Sequence, residues 1–155
     1  MSIVRKRGMT YSLTGIIAES VVVNGDNVAT RICVSYVMNA NGSLADQSFF
    51  IASRAYEVTD IREVHSVPGN DAGAVNVQVT KDTGTNAPGA GTDLLTNNTN
   101  AGFNLKGTAN TVQVGTLVAT QATKRLAVGD RLSVDFAGTL TNLAGVVVTV
   151  SLKEV

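Results

Sequence analysis

Between Arg125 and Val155 hydrophobic and polar residues alternate with a period of two in two places. Leu132, Val134 and Phe136 fall on one side of the first segment, with Arg131, Ser133 and Asp135 on the other. In the second, Val146, Val148, Val150 and Leu152 stand opposite Val147, Thr149, Ser151 and Lys153. Side chains of a strand point alternately to its two faces, so each segment predicts a β-strand with one apolar face and one mostly polar face. Nine residues separate Phe136 from Val146. That is too many for a tight hairpin and leaves a connection between two sheets equally open. The rest of the chain has to supply the layer that covers these faces.

Upstream, Leu13–Ala18, Ser20–Val23, Thr30–Val37, Gln47–Ala52 and Ala74–Thr80 read as further strands. The last is the clearest, because Val75, Val77 and Val79 alternate with Asn76, Gln78 and Thr80. Turn-forming residues gather at Asn24-Gly25-Asp26 and again at Asn39–Ser43. Between Ala55 and Val67 the pattern is ambiguous. Ala55, Val58, Ile61 and Val64 recur every third position, as in a turn of helix. However, Val58, Thr59, Ile61, Val64 and Val67 are β-branched, which favours a strand. A bulge near Thr59-Asp60, reversing the register, reconciles the two patterns. Lys81–Thr92, KDTGTNAPGAGT, is a loop, and a second polar loop runs from Asn97 to Gly102. Phe103–Leu105 reads as a short strand, Ala109–Leu117 as a helical turn leading into Thr116–Thr120, and Ala127–Asp130 as a turn. About eight short strands separated by turn signals, with no long helix and no internal repeat, predict an all-β fold. The expected architecture is a two-sheet antiparallel β-sandwich or jelly roll with an extended N-terminal segment. It divides into residues 1–45, an arm or strand segment, and residues 46–155, the jelly-roll domain.

Composition narrows the function classes. A chain of 155 residues is long enough to bury a core without disulfides, and its single cysteine, Cys33, excludes an internal one. A net charge of +0 with 15% charged residues provides no global field toward nucleic acid or a membrane surface. No apolar run approaches the roughly 18 residues of a membrane helix. Residues 1–12 carry their charges after the apolar positions, and Glu19 interrupts LTGIIAESVVV. Neither stretch reads as a signal peptide, so synthesis in a cytoplasm is the expectation. Low charge beside 44% hydrophobic residues suggests that part of the surface is covered by a partner. Arg5, Lys6 and Arg7 give residues 1–8 a local charge of +3. Such a basic tip suits contact with an acidic surface, or equally a solvated terminus.

Candidate chemistry is sparse. His65 is the one histidine, with no serine or cysteine motif near it, and reads as structural or surface-exposed. Cys33 lies in a strand pattern and reads as a small hydrophobe. Asp82, Asn86 and Asp93 could supply oxygens to calcium, but Asp and Asn are expected at turns. Gly84, Gly89 and Gly91 do not open a helix, so a phosphate cradle is unsupported. Glu57, Asp60 and Glu63, with Arg54 and Arg62, read as a solvated face or the rim of a subunit contact. Sugar or single-stranded nucleic acid recognition favours aromatic platforms, yet Trp is absent and aromatics are 5%. Tyr11, Tyr36 and Tyr56 are the remaining candidates for such a platform. No catalytic set and no cofactor site emerge.

Four blocks carry a resemblance. They are RAYEVTDIREVHSV (Arg54–Val67), VNVQVTKDTGTNAPGAGTDLL (Val75–Leu95), FNLKGTANTVQVGTL (Phe103–Leu117) and LAVGDRLSVDFAGTLTNLAGVVVTVSLK (Leu126–Lys153). In order and spacing they resemble the small head decoration, or capsid cement, proteins of tailed bacteriophages. The resemblance implies a jelly-roll body, usually a homotrimer, on the outside of an icosahedral head. There it would clamp neighbouring major capsid subunits against internal DNA pressure. It implies no catalytic residue and no cofactor, and residues 1–50 lie outside it. The expected partners are the major capsid protein and other copies of the chain, not nucleic acid or membrane. The expected location is the virion exterior. Arg5, Lys6 and Arg7 are the candidate capsid contacts, and Lys81–Thr92 is a second candidate surface. A glycan- or receptor-binding module of a phage fibre or tail is the alternative.

Overall fold

The computed structural model describes residues 22–23, 26–27, 31–38, 46–96 and 102–155. In chain order its strands are β1 (Val22–Val23), β2 (Asp26–Asn27), β3 (Arg31–Met38), β4 (Gln47–Ile51), β5 (Tyr56–Val64) and β6 (Asn76–Asp82). These are followed by β7 (Thr92–Asp93), β8 (Phe103–Asn104), β9 (Gln113–Val114), β10 (Arg125–Leu126), β11 (Arg131–Ala137) and β12 (Val146–Glu154). A single helical turn, α1 (Gln121–Lys124), precedes β10. β1 and β2 pair with each other, Val23 opposite Asp26, on either side of the predicted Asn24-Gly25 turn.

Two antiparallel sheets pack face to face. Sheet one runs β3–β12–β5, with β10 and β9 both on the far side of β5. Sheet two runs β4–β11–β6, with β7 and β8 on the far side of β6. Successive long strands alternate between the sheets, β3 in one, β4 in two, β5 in one, β6 in two. This is the jelly-roll form of the predicted sandwich. Arg31–Met38, upstream of the 45/46 division drawn from sequence, is hydrogen-bonded along its length to β12, so the sandwich begins no later than β3. Arg5, Lys6, Arg7 and Leu13–Ala18 lie outside the described residues.

The two segments with the clearest alternation are the centres of opposite sheets, not partners. β11 lies between β4 and β6, β12 lies between β3 and β5, and the eight residues between them cross from sheet to sheet. Val146, Val148, Val150 and Leu152 meet Leu132, Val134, Val77 and Val79 in the core, which Leu94, Leu95, Phe103, Leu105 and Leu126 complete. Burying such side chains is the main drive for the fold.

Two bulges set which residues reach that core. In β5, Ser151 of β12 faces Asp60 while Leu152 faces Val58, so Thr59 is the extra residue, and its hydroxyl donates to the Ser151 carbonyl at 3.1 Å. The predicted bulge is therefore present. Tyr56 and Val58 point inward before it, and Ile61, Glu63 and His65 point inward after it. In β4, Leu132 faces Phe50 and Ser133 faces Ser48, leaving Phe49 as the extra residue. Phe49 and Phe50, adjacent in sequence, both pack against the core for that reason. Ala109–Leu117 holds β9 and a bridge from Leu117 to Leu95, not a helical turn. The helical turn comes later, at α1, where Lys81 Nζ donates to the carbonyls of Ala122 and Arg125, both at 3.1 Å.

Candidate functional site

One polar centre is buried between the sheets and a second under a loop on the outer face of sheet two, and among the described residues one flank presents unpaired strand edges. The first centre follows from the bulge at Thr59, which turns Glu63 and His65 inward, at 1% and 0% exposure. His65 Nδ1 lies 2.9 Å from Glu63 Oε1, and Nε2 lies 3.2 Å from the Gly107 carbonyl oxygen. Gln113 Nε2 donates to Glu63 Oε2 at 2.7 Å and to the Asn104 carbonyl at 2.8 Å. Burial raises the Glu63 carboxyl above its ordinary range, and the hydrogen bonds and charge of His65 and Gln113 offset only part of that rise. His65 is thus a satisfied structural histidine. Glu63 departs from the sequence expectation: it belongs to the core side, not to the solvated set of Glu57, Asp60 and Arg62. Asp60 and Arg62 do lie outward, paired at 2.7 Å, and Arg54 pairs with Glu154 at 3.0 Å. Once the bulge is admitted, residue parity alone places Glu63 with Ile61 and His65 (the charges around it concealed this).

The second centre lies on the outer face of sheet two, under the Gly-rich loop. Asp82 is fully buried. Its carboxylate accepts from the Ser133 hydroxyl, from Thr80 Oγ1 at 3.1 Å and from the Gly89 amide at 3.3 Å. Since Ser133 spends its proton on Asp82, Ser48 is the donor in the 2.7 Å contact between the two hydroxyls. Beside them Gln78 Nε2 donates to the Leu95 carbonyl at 3.1 Å, and Gln78 Oε1 accepts from the amides of Val79 and Leu95. Arg131 Nη2 donates to the Asn86 carbonyl at 2.6 Å and holds the loop from its other side. Gly91 permits the close fit, because a Cβ there would strike the Lys81 carbonyl and the Asp82 carboxylate. This face was expected to be wet, and the loop makes it dry. Asp135, at the rim of this centre, has its carboxyl raised by burial and by the charges of Asp46, Asp93 and Asp82.

Both centres are closed. A substrate reaches Glu63–His65 only by parting the sheets and Asp82–Ser133 only by lifting the loop, and each group is bonded to others of the chain. Of the candidate calcium ligands, Asp82 is taken up by the Ser133 and Thr80 hydroxyls, and the Asn86 backbone carbonyl by Arg131. Among the described residues no group of three or more His, Cys, Asp or Glu is arranged to hold a metal ion. Tyr36 and Tyr56 are buried, with Tyr36 packed on Phe49 and Phe136 at ring distances of 6.2 and 6.0 Å, so neither is an exposed sugar platform. Tyr11 lies outside the described residues.

The exposed flank is where β3 and β4, the edge strands of the two sheets, come together. Among the described residues no strand pairs with the outer side of either. Ile32 and Val37 on β3 and Ile51 on β4 remain exposed there, Ile51 at 65%. Cys33, also exposed on β3, sits 3.6 Å from the Ser151 hydroxyl. Unpaired edges beside exposed apolar side chains are the usual substrate of strand addition and subunit contact. No protein-family profile matches this chain, and no curated protein or solved structure matches it either.

Proposed function

We propose that the chain is a structural virion protein, a decoration or cement protein that binds the outside of a bacteriophage capsid and stabilises contacts between major capsid subunits. The observation that carries this reading is the agreement between the resembling sequence blocks and the fold. The resemblance implies a jelly-roll body, and the blocks fall on the strands and loops of one. The burial of Glu63, His65, Asp82 and Ser133 in mutual hydrogen bonds suits a body whose task is to hold its shape. The flank of β3 and β4 is the surface this reading assigns to partners. On this reading the residues that precede β3 reach over the capsid, with Arg5, Lys6 and Arg7 meeting acidic groups. The working assembly is a homotrimer, in which contacts that are weak singly act together because binding of one subunit raises the effective concentration of the others.

The test is copy number, measured by quantitative mass spectrometry on purified particles of the source virus and referenced to the major capsid protein. Hundreds of copies per particle are expected. A few copies would replace this reading with a receptor- or glycan-binding module of a tail or fibre, and absence from the particle would refute a structural role.

A further inference from the structure

We infer that Glu63 and His65 share a single proton and use it as a clasp that holds residues 103–115 across one edge of the sandwich. This rests on the described geometry and not on the capsid reading.

Both nitrogens of the buried His65 ring face acceptors, Glu63 Oε1 at 2.9 Å and the Gly107 carbonyl at 3.2 Å. A carbonyl only accepts, so Nε2 carries a hydrogen. The contact between Nδ1 and Oε1 requires one more, borne by an imidazolium or by a carboxylic acid. In either form the pair is neutral as a unit and holds one exchangeable proton. Around it, Gln113 and the carbonyls of Asn104 and Gly107 are polar but uncharged, and Val148 of β12 lies opposite Glu63. Lys106, on the same segment, directs its ammonium to the carbonyls of Asp71 and Gly73 at the surface, and Arg62 points outward to Asp60. Among the described residues, no third charge is bonded to the pair.

The clasp joins parts of the chain that are far apart in sequence. Residues 103–115 begin on sheet two, where β8 pairs with β6, and end on sheet one, where β9 pairs with β5. Glu63 and His65 reach Gln113 and Gly107 within this crossing, and the His65 and Ile61 carbonyls accept from the amides of Asn110 and Gly115, both at 2.8 Å. Removing the shared proton sets a buried carboxylate against an imidazole lone pair. Adding a second leaves an uncompensated buried cation. The crossing is therefore held tightest in a pH window and loosens on either side.

The sign follows from linkage. An opened segment exposes the two groups with ordinary constants of about 4.3 and 6.5. Above about pH 6.5 the open form gives up the proton that the closed form keeps, so the opening equilibrium rises about tenfold per pH unit. Below about pH 4.3 the open form takes up a second proton that the closed form excludes, and opening rises again.

Hydrogen–deuterium exchange of the full chain, followed by mass spectrometry and corrected for intrinsic rates, reads this directly. As pH rises above neutral, peptides covering 103–115 are expected to lose protection, by up to about tenfold per unit for as long as the closed pair keeps its proton, while peptides of β11 and β12 do not. Glu63→Gln keeps the hydrogen bonds without a titrating proton, since its amide donates to Nδ1 of a neutral ring and its oxygen accepts from Gln113. It should retain protection at pH 7 and lose the pH dependence. A flat profile in the wild type, or an unchanged slope in the variant, would overturn the inference. If the variant fails to fold, proton NMR of the wild type decides. A strongly deshielded, hydrogen-bonded proton is expected at pH 7 that disappears together with the protection at pH 9, and its absence at pH 7 overturns the clasp.

Discussion

Deleting Thr59 puts the extra residue in β5 to a direct test. With the bulge gone, β5 can pair in register with β12 only if one of its halves turns over. If the half after the deletion turns, Ile61, now fully buried, meets water at a cost of roughly 1.5–3 kcal/mol. The bonds from Glu63 to Gln113 and from His65 to Gly107 are lost with it, at about 1 kcal/mol each. If the half before it turns, Tyr56 and Val58 leave the core instead, at roughly 3–6 kcal/mol together. Either route costs about 4 kcal/mol, a large share of the roughly 5–15 kcal/mol that stabilises a domain of this kind. Urea unfolding followed by circular dichroism measures it. Thr59→Ala serves as the control, because it keeps the residue count and loses only the exposed bond to Ser151, worth about 0.5 kcal/mol. A deletion variant within 1 kcal/mol of wild type would show that the register of β5 is not fixed by this residue.

Other substitutions address the loops and the second polar centre. Gly138 has φ of +90°, and a Cβ there would fall on the Ala74 carbonyl, so Gly138→Ala should lose about 2–3 kcal/mol. Gly73→Ala, whose Cβ enters open space, should be neutral or gain roughly 0.4–1 kcal/mol in the same urea unfolding. Ser133→Ala deprives Asp82 of one donor and Ser48 of its acceptor, and should lower stability by about 1–3 kcal/mol at an unchanged denaturant slope. Asp135 has a raised carboxyl, so its contribution to stability is full below about pH 3.9 and is lost as pH rises through the raised value. Asp135→Asn should therefore stabilise at pH 7 by a few tenths of a kcal/mol, because solvent screens this half-exposed group. That gain should vanish near pH 3, and its persistence there would refute the electrostatic cause. On the proposed capsid reading, removing residues 1–8 should weaken head binding at low salt more than at high salt, and binding left unchanged by the deletion at both would dispose of the basic contact at Arg5, Lys6 and Arg7.

Much of the sandwich was legible because its signals are local. Val146–Leu152 alternates because β12 has a core face and a wetter one, and the β-branched run from Val58 to Val67 marks a strand despite its three-residue spacing. The bulge at Thr59 could be inferred from that conflict. The burial of Gln78, Thr80 and Asp82 could not. Those residues are polar in a strand whose other face is plainly apolar, and only the return of the Gly-rich loop over sheet two dries them. That return depends on contacts such as Arg131 with Asn86, 45 residues apart, which no short pattern encodes. The assignment of β11 and β12 to opposite sheets is of the same kind, since two amphipathic strands nine residues apart are compatible with either arrangement. Glu63 was missed for a different reason: its neighbours in sequence are charged, while its neighbours in space are His65 and Gln113.

The position of β12 has a consequence for biosynthesis. Among the described residues, the strand at the middle of sheet one is the last of twelve in chain order, and it alone joins β3 to β5. A nascent chain that has emerged as far as β11 can assemble the centre of sheet two, but β3 and β5 still lack the strand that joins them. Until Val146–Glu154 clears the ribosome, both strands expose open hydrogen-bonding edges and the Val58 and Ile61 side chains to other chains in the cell. Joining β3 to β5 therefore waits on β12, and the interval before it emerges is the one in which these edges are open to aggregation.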